Sequence, residues 1–227
     1  MRRVWEALEL TTPDLEARKQ AMDELSESTV AGVQRRKAFR QAIEDMRAEL
    51  QGLGIEMAQF YQSHAIMDDA TSGKASMNDD STPKSKGKFA AALEYVPTTQ
   101  PGRRLPHAWL NSLFPKGPPI STHNLAGKTS FCLFTGHGGE WWKSAASHTQ
   151  QHLKVPINAY SIGFGLDWQD VYFDLERVRG VGESGCILVR PDRFVAWRCP
   201  DVLKDENSCI EMLSTVLRRT LGWEAQN

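Results

Sequence analysis

The order of hydrophobic segments between Phe89 and Trp223 limits this chain more than any other feature. Ser130-Phe131-Cys132-Leu133-Phe134-Thr135 is a short apolar run closed by glycine, which reads as a buried strand. Glu140 to Leu153 follows as a helix, with Trp141, Ala145, His148 and His152 near helical spacing, and Val155 to Ile162 reads as a second strand. Cys186–Arg190 and Phe194–Arg198 flank Pro191-Asp192-Arg193, a hairpin with turn residues at its tip. Asn207 to Leu221 closes the chain as a helix capped by Asp205 or Asn207. A βαβ unit followed by ββα is the thioredoxin-like order. Short connections and the right-handed crossover rule leave few alternatives, so the expected class is α/β (α+β).

The N-terminal stretch obeys a different period. Thr12-Pro13-Asp14 is a helix-start signal, and Leu15, Met22, Leu25, Phe39, Ile43, Met46, Leu50 and Leu53 recur at helical spacing. Thr29-Val30 and Gly32 predict a break between two helices, and Gly52-Leu53-Gly54 offers a left-handed cap to the second. Such helices need a partner, since propensity alone rarely holds them. Between the two regions, residues 68–88 hold no aromatic and many Ser, Asp, Lys and Gly, too little apolar area to offset the entropy of ordering. The expected organisation is a helical arm over 1–67, a polar flexible linker over 68–88 and a thioredoxin-like domain over 89–227.

Composition removes several functional classes. A net charge of −1 gives no electrostatic footprint for nucleic acid or an acidic membrane surface. No apolar run approaches the ~20 residues a membrane span needs. The N-terminus carries Glu6, Glu9 and Asp14 and lacks a signal-peptide core, so a cytoplasmic location is expected. Cys132, Cys186, Cys199 and Cys209 stand far apart and read as inert buried thiols.

No catalytic, cofactor-binding or metal-binding residue is assigned from the pattern. Gly136-His137-Gly138-Gly139-Glu140-Trp141 and Gly163-Phe164-Gly165-Leu166-Asp167-Trp168 begin like a dinucleotide fingerprint. Each has Trp where the third glycine must let helix and strand pack closely. His148 and His152 are spaced to share a helix face, but no HExxH and no cysteine at ligand spacing accompany them, nor His64, His107, His123 or His137. Thioredoxin redox chemistry needs a thiolate at a helix start, and the corresponding turn, Thr135-Gly136-His137-Gly138-Gly139-Glu140, has none. Trp141, Trp168 and Trp197 read as core or interface anchors.

Three stretches resemble one family. They are Pro101-Gly102-Arg103-Arg104-Leu105-Pro106-His107-Ala108-Trp109-Leu110; Ile120-Ser121-Thr122 leading to Phe131 and Thr135-Gly136, with Gly139 and Trp142; and Leu188 to Arg198. In this spacing they are similar to the C-terminal domain of flavin-dependent aromatic hydroxylases of the phenol and 2,4-dichlorophenol monooxygenase group. Gly52 to Tyr61 is similar to the segment before it. The resemblance implies a thioredoxin-like fold without CxxC that contributes to dimerisation or stability. Chemistry belongs to the family's flavin and substrate domains, where FAD reduced by NAD(P)H activates oxygen. Arg193-Phe194 stands where the family has Gly-His, and His123-Asn124 replaces Leu-Asp. The family's flavin-binding segments are missing here, which implies a C-terminal portion that binds no FAD or NAD(P)H alone and is inactive alone. The partners implied are a second copy or a flavin-binding monooxygenase subunit. The competing readings are a non-enzymatic interaction or dimerisation module, and an aromatic-compound site between the tryptophans and His107.

Overall fold

A computed structural model describes residues 2–67, 93–112 and 117–223. The chain forms two compact units, the first holding the helices up to Met57, the second running from Ala58 and, after 82, from Val96 onward.

In the first unit, α1 (Arg2–Ala7), α2 (Leu15–Glu24), α3 (Val30–Leu50) and α4 (Leu53–Met57) follow in order. The start of α2 is capped by Asp14, whose carboxylate accepts the Glu16 N–H, so the hydroxyl of Thr12 is not the cap. A charged acceptor satisfies an orphan N–H and also faces the positive helix end. The expected break lies at 25–29, where Thr29 caps α3 by accepting the Gly32 N–H. Gly32 itself is helical, and a methyl there would meet the Glu24 and Glu27 carbonyls at 2.5 Å. Gly52 and Gly54 do not form a left-handed cap; α3 ends on Gln51 at φ −131° and a fresh short helix begins.

Polar ties assemble this unit more than an apolar core does. Arg35 bonds the Glu24 carboxylate at 2.6 Å, Glu9 at 3.0 Å and the Ala7 carbonyl at 3.3 Å. Arg36 donates to the carbonyls of Leu25 and Glu27 at 2.9 and 2.7 Å, satisfying acceptors that the end of α2 leaves open. The hydrogen bond to Glu24 leads the influences that hold the Arg35 guanidinium further towards its charged form. Meanwhile Leu15, Val30, Leu50 and Ile55 stay exposed.

The second unit contains β1 (Trp109–Ser112), β2 (Ile120–Ser121), α5 (Thr122–Leu125), β3 (Phe131–Thr135), α6 (Glu140–Leu153) and β4 (Ile157–Ser161). It continues with β5 (Trp168–Gln169), α7 (Asp174–Val178), β6 (Cys186–Val189), β7 (Val195–Cys199) and α8 (Glu206–Thr220). The main sheet has the order β4-β3-β6-β7, with β3 parallel to β4 and antiparallel to β6, and β6 antiparallel to β7. This is the thioredoxin-like βαβ-ββα arrangement. Alternate residues of β3 serve two cores: Phe131 and Leu133 join Trp142, Leu213 and Leu217 beneath α6 and α8. Cys132 and Phe134 join Leu105, Leu110 and Ile187 on the opposite face. A second sheet, β2-β1-β5, was not expected from the sequence.

Three expectations are narrowed or corrected here. The buried face of α6 is Trp142, Ala145, Ala146, Thr149 and Leu153, so Trp141, His148 and His152 lie on its solvent side. Asp205, not Asn207, caps α8 by accepting the Ser208 N–H. Residues 58–67, read as arm, belong to the second unit: the Tyr61 N–H donates to the Gly102 carbonyl and the Met67 N–H to that of Ala196. The expected linker over 68–88 lies outside the described residues.

The hairpin tip stores strain. Arg193 adopts φ 69°, a left-handed conformation that costs a residue with a Cβ ~1 kcal/mol or more. Its Nε reaches the Ala126 carbonyl only at 3.4 Å. Arg193→Gly is expected to raise the stability to urea by about 1 kcal/mol, with equilibrium unfolding as the measurement; an unchanged or lower midpoint would show that the Arg193 contacts outweigh the strain.

Candidate functional site

The carboxyl ends of β3 and β4 are where an open α/β sheet offers a crevice, and where the chain turns into α6. In a redox-active thioredoxin-like domain two thiols would stand at the spacing of Gly136 and Gly139. Here residues 183–185 close on that turn. A Cβ at position 136 would lie 2.5 Å from the Glu183 carbonyl oxygen, and one at position 139 would land on Thr135 Oγ1. Thr135 cannot easily retreat, because its hydroxyl donates to the Gly185 carbonyl at 2.7 Å. Gly138 completes the turn at φ 78°. The glycines are therefore a packing requirement, a reason beyond the missing thiol that the pattern alone did not reveal.

Two depressions flank this turn. The smaller gathers Glu140, Lys143 and Ser161 around Asp167. Its carboxylate accepts from the Ser161 N–H at 2.9 Å, from Ser161 Oγ at 2.8 Å and from Lys143 Nζ at 2.5 Å. Burial pushes the Asp167 carboxyl up, but the bonds from Lys143 and Ser161 together outweigh it and hold the pKa below the ordinary value. The arrangement pins the turn after β4 and caps an outward N–H of an edge strand. It presents no activated nucleophile, since the carboxylate that Ser161 Oγ meets is held below its ordinary pKa and is a weak base.

The larger is a mainly apolar cavity of about 420 Å³. Its walls come from the loop after β4, through Ile162, Phe164, Val171 and Phe173, and from Leu175 of α7, with His137 of the glycine turn at one side. Asp170 shapes this loop by accepting the N–H groups of Asp174 and Glu176 at 3.1 and 2.9 Å. Phe173 is held at φ 57°, a strained position for an aromatic residue. Sequence reasoning did not find this cavity. The one available signal was Val171-Tyr172-Phe173, three apolar residues in a row outside any strand.

The histidines and tryptophans singled out earlier fall in separate places. His107 Nδ1 lies 2.8 Å from Ser121 Oγ, and its ring meets the edge of half-exposed Trp109. His123 donates from Nε2 to the Leu105 carbonyl at 2.6 Å; burial first, then nearby cationic groups, lower its pKa despite that bond. His148 and His152 stack on each other on the outer face of α6. Among the described residues no group of three or more His, Cys, Asp or Glu side chains gathers as a metal site would. Trp197 packs edge-on against Trp142 in the core, while Trp168 sits in β5 and Trp141 on the surface. All four cysteines are reduced and buried, and burial pushes the Cys132, Cys186 and Cys209 thiols up, away from the reactive thiolate.

Sheet order, glycine turn and buried thiols define a thioredoxin-like domain with no room for the redox pair. A family model described as aromatic-ring hydroxylase, C-terminal, matches residues 98–223, and the chain belongs to that family. It is 36% identical over 189 residues to a phenol 2-monooxygenase of Pseudomonas sp. (strain EST1001), covering 83% of this chain and 29% of that protein. It is 32% identical over 211 residues to a 2,4-dichlorophenol 6-monooxygenase of Delftia acidovorans, covering 93% and 33%. Among solved structures it is similar to the flavin-dependent monooxygenase PieE in complex with FAD and substrate. The TM-score there is 0.79 at 32% identity, over 97% of this chain and 35% of that one. The chain thus spans about a third of the length of these relatives. Among the described residues no helix is long and apolar enough to cross a membrane.

Two outcomes are expected at this site. Gly139→Ala should cost about 3 kcal/mol in chemical unfolding, because backbone or Thr135 must move to admit the methyl. A loss below 0.5 kcal/mol, within the ordinary range for surface substitutions, would mean the turn is slack. Because the Asp167 pKa is depressed in the folded state, its contribution is present above the unfolded value near 3.9 and is lost as pH falls through the folded value. Thermal melts between pH 7 and pH 2 should therefore show Asp167→Asn less stable at neutral pH and converging on the wild type in acid. Parallel curves would show that Asp167 carries no titrating share.

Proposed function

We propose that this chain is the C-terminal portion of an FAD-dependent phenol-type aromatic monooxygenase, and that it scaffolds the reaction without performing it. The observation that carries this reading is the family match over a domain whose turn, thiols and histidines present no catalytic constellation among the described residues. Hydroxylation of an aromatic ring with NAD(P)H and oxygen then belongs to a flavin-bearing portion, where FAD supplies the oxygen activation. The buried, unreactive thiols accord with a cytoplasmic protein.

The partner in this reading is that flavin-bearing portion. The helical unit favours it over an independent module, since among the described residues it buries only Leu8, Ala21 and Ala42 of its hydrophobic side chains. Val30, Leu50 and Ile55 are each more than two-thirds exposed, an arrangement that calls for a covering surface. The purified chain is expected to be colourless in visible absorbance, to retain no FAD on dialysis and to oxidise no NAD(P)H with phenol present. A stoichiometric flavin spectrum would overturn the proposal. A flavin-bearing fragment of a phenol monooxygenase should be captured by this chain, and Val30→Gln with Ile55→Gln should abolish capture without lowering the melting temperature of the chain alone. Self-association lost in the same variant, with no capture, would assign the face to a second copy instead.

A further inference from the structure

We infer that the cavity beside the glycine turn binds an uncharged, planar aromatic molecule of two or three fused rings carrying a hydroxyl or carbonyl edge. The inference goes beyond membership of the hydroxylase family and stands on the cavity alone.

Size comes first: about 420 Å³ lies within the range of small-molecule sites, which are concave and mainly apolar with a few polar groups. Exposure comes second. Phe164, Phe173 and Val171 are 88%, 59% and 46% exposed, yet all three line this one cavity. Apolar surface gathered around a concavity and left in water is what a bound apolar ligand removes. The loop is nonetheless fixed, through the two bonds that Asp170 accepts and the left-handed backbone at Phe173. A strained aromatic held at a cavity wall is the kind of outlier from which a binding role can be argued.

Shape and charge select the class. The His137 ring lies over Gly163, its Nε2 2.8 Å from where a Cβ at 163 would stand, so ring and bare backbone meet closely on one wall. With two phenylalanines in the lining, this favours aromatic ligands stacked or edge-on over flexible alkyl chains. The charged lining is mainly acidic: the carboxylates of Asp170, Glu176 and Glu183 oppose an anion, and Arg179 brings one guanidinium among them. An uncharged ring avoids the penalty an anion meets, and its oxygen can accept from Arg179 or donate to a glutamate.

The test uses the full chain and 2-naphthol as probe, with isothermal titration calorimetry and saturation-transfer NMR, and 2-naphthoate as the charged comparison. Expected are one site per chain for 2-naphthol, at least tenfold weaker binding of 2-naphthoate, and about fivefold weakening in Phe164→Ala from loss of one aromatic contact. Val171→Arg, which places a charged side chain in the cavity, should abolish binding. Both residues are exposed, and unchanged melting temperatures would verify that the fold survives. The inference is overturned if 2-naphthol does not bind, if it binds equally to both variants, or if 2-naphthoate binds more tightly. It is also overturned if sedimentation shows a dimer that Phe164→Ala dissociates while 2-naphthol is excluded, which would give the surface to a second copy.

Discussion

The second unit depends on the double burial of β3. Every residue from Phe131 to Thr135 is buried, so each face of the strand must be covered by a separate layer. Helices α6 and α8 cover one face, and Leu105, Leu110, Leu125 and Ala126 with Leu175 cover the other. Removing the first layer would expose Phe131 and Leu133, and removing the second Cys132 and Phe134, side chains with nothing to offer water.

The outer edge of β7 shows how the most distinctive sequence motif serves that sheet. Gly102 donates to the Val195 carbonyl, Val195 to that of Arg103, and Leu105 to that of Arg193, so the segment runs along β7 as a cover. Gly102 sits at φ 87° with the Tyr61 carbonyl and the Phe60 ring against it, and no side chain fits there. Arg103 in turn bonds the Ala58 carbonyl at 2.8 Å and lies over the Phe60 ring. The stretch that carries much of the family resemblance is an edge cover. At the opposite edge, Gln150 Oε1 and the Asp167 carboxylate take the N–H groups of Ile157 and Ser161, which blunts β4 against strand addition.

How much of this was legible varied with the physics of each element. Strands β3, β6 and β7 and helices α6 and α8 announced themselves because continuous apolar runs and helical spacing are local signals. The second sheet did not, since β2 and β5 are two residues each and owe their pairing to β1. The register of α6 was misjudged because Trp141 and Trp142 are adjacent, and only packing against Trp197 decides which is core. His123 and Asn124, noted as departures, have evident work: one bonds the Leu105 carbonyl, the other completes a capping box with Ser121. The cavity was illegible because its walls come from a loop whose shape is set by Asp170, a residue with no periodic signature. The missing thiols were plain in the sequence, whereas the collision that forbids them involves Glu183, distant along the chain.

That collision also decides what the turn could be made to hold. With the 183–185 segment seated on the turn, a thiol at position 136 meets a backbone oxygen, and one at 139 meets a hydroxyl already committed elsewhere. Restoring oxidoreductase chemistry would require the segment to withdraw first, opening a gap under the turn with nothing to fill it. Each single substitution therefore meets a clash that the packing has to relieve. The seated segment thus commits this corner of the fold to shape alone.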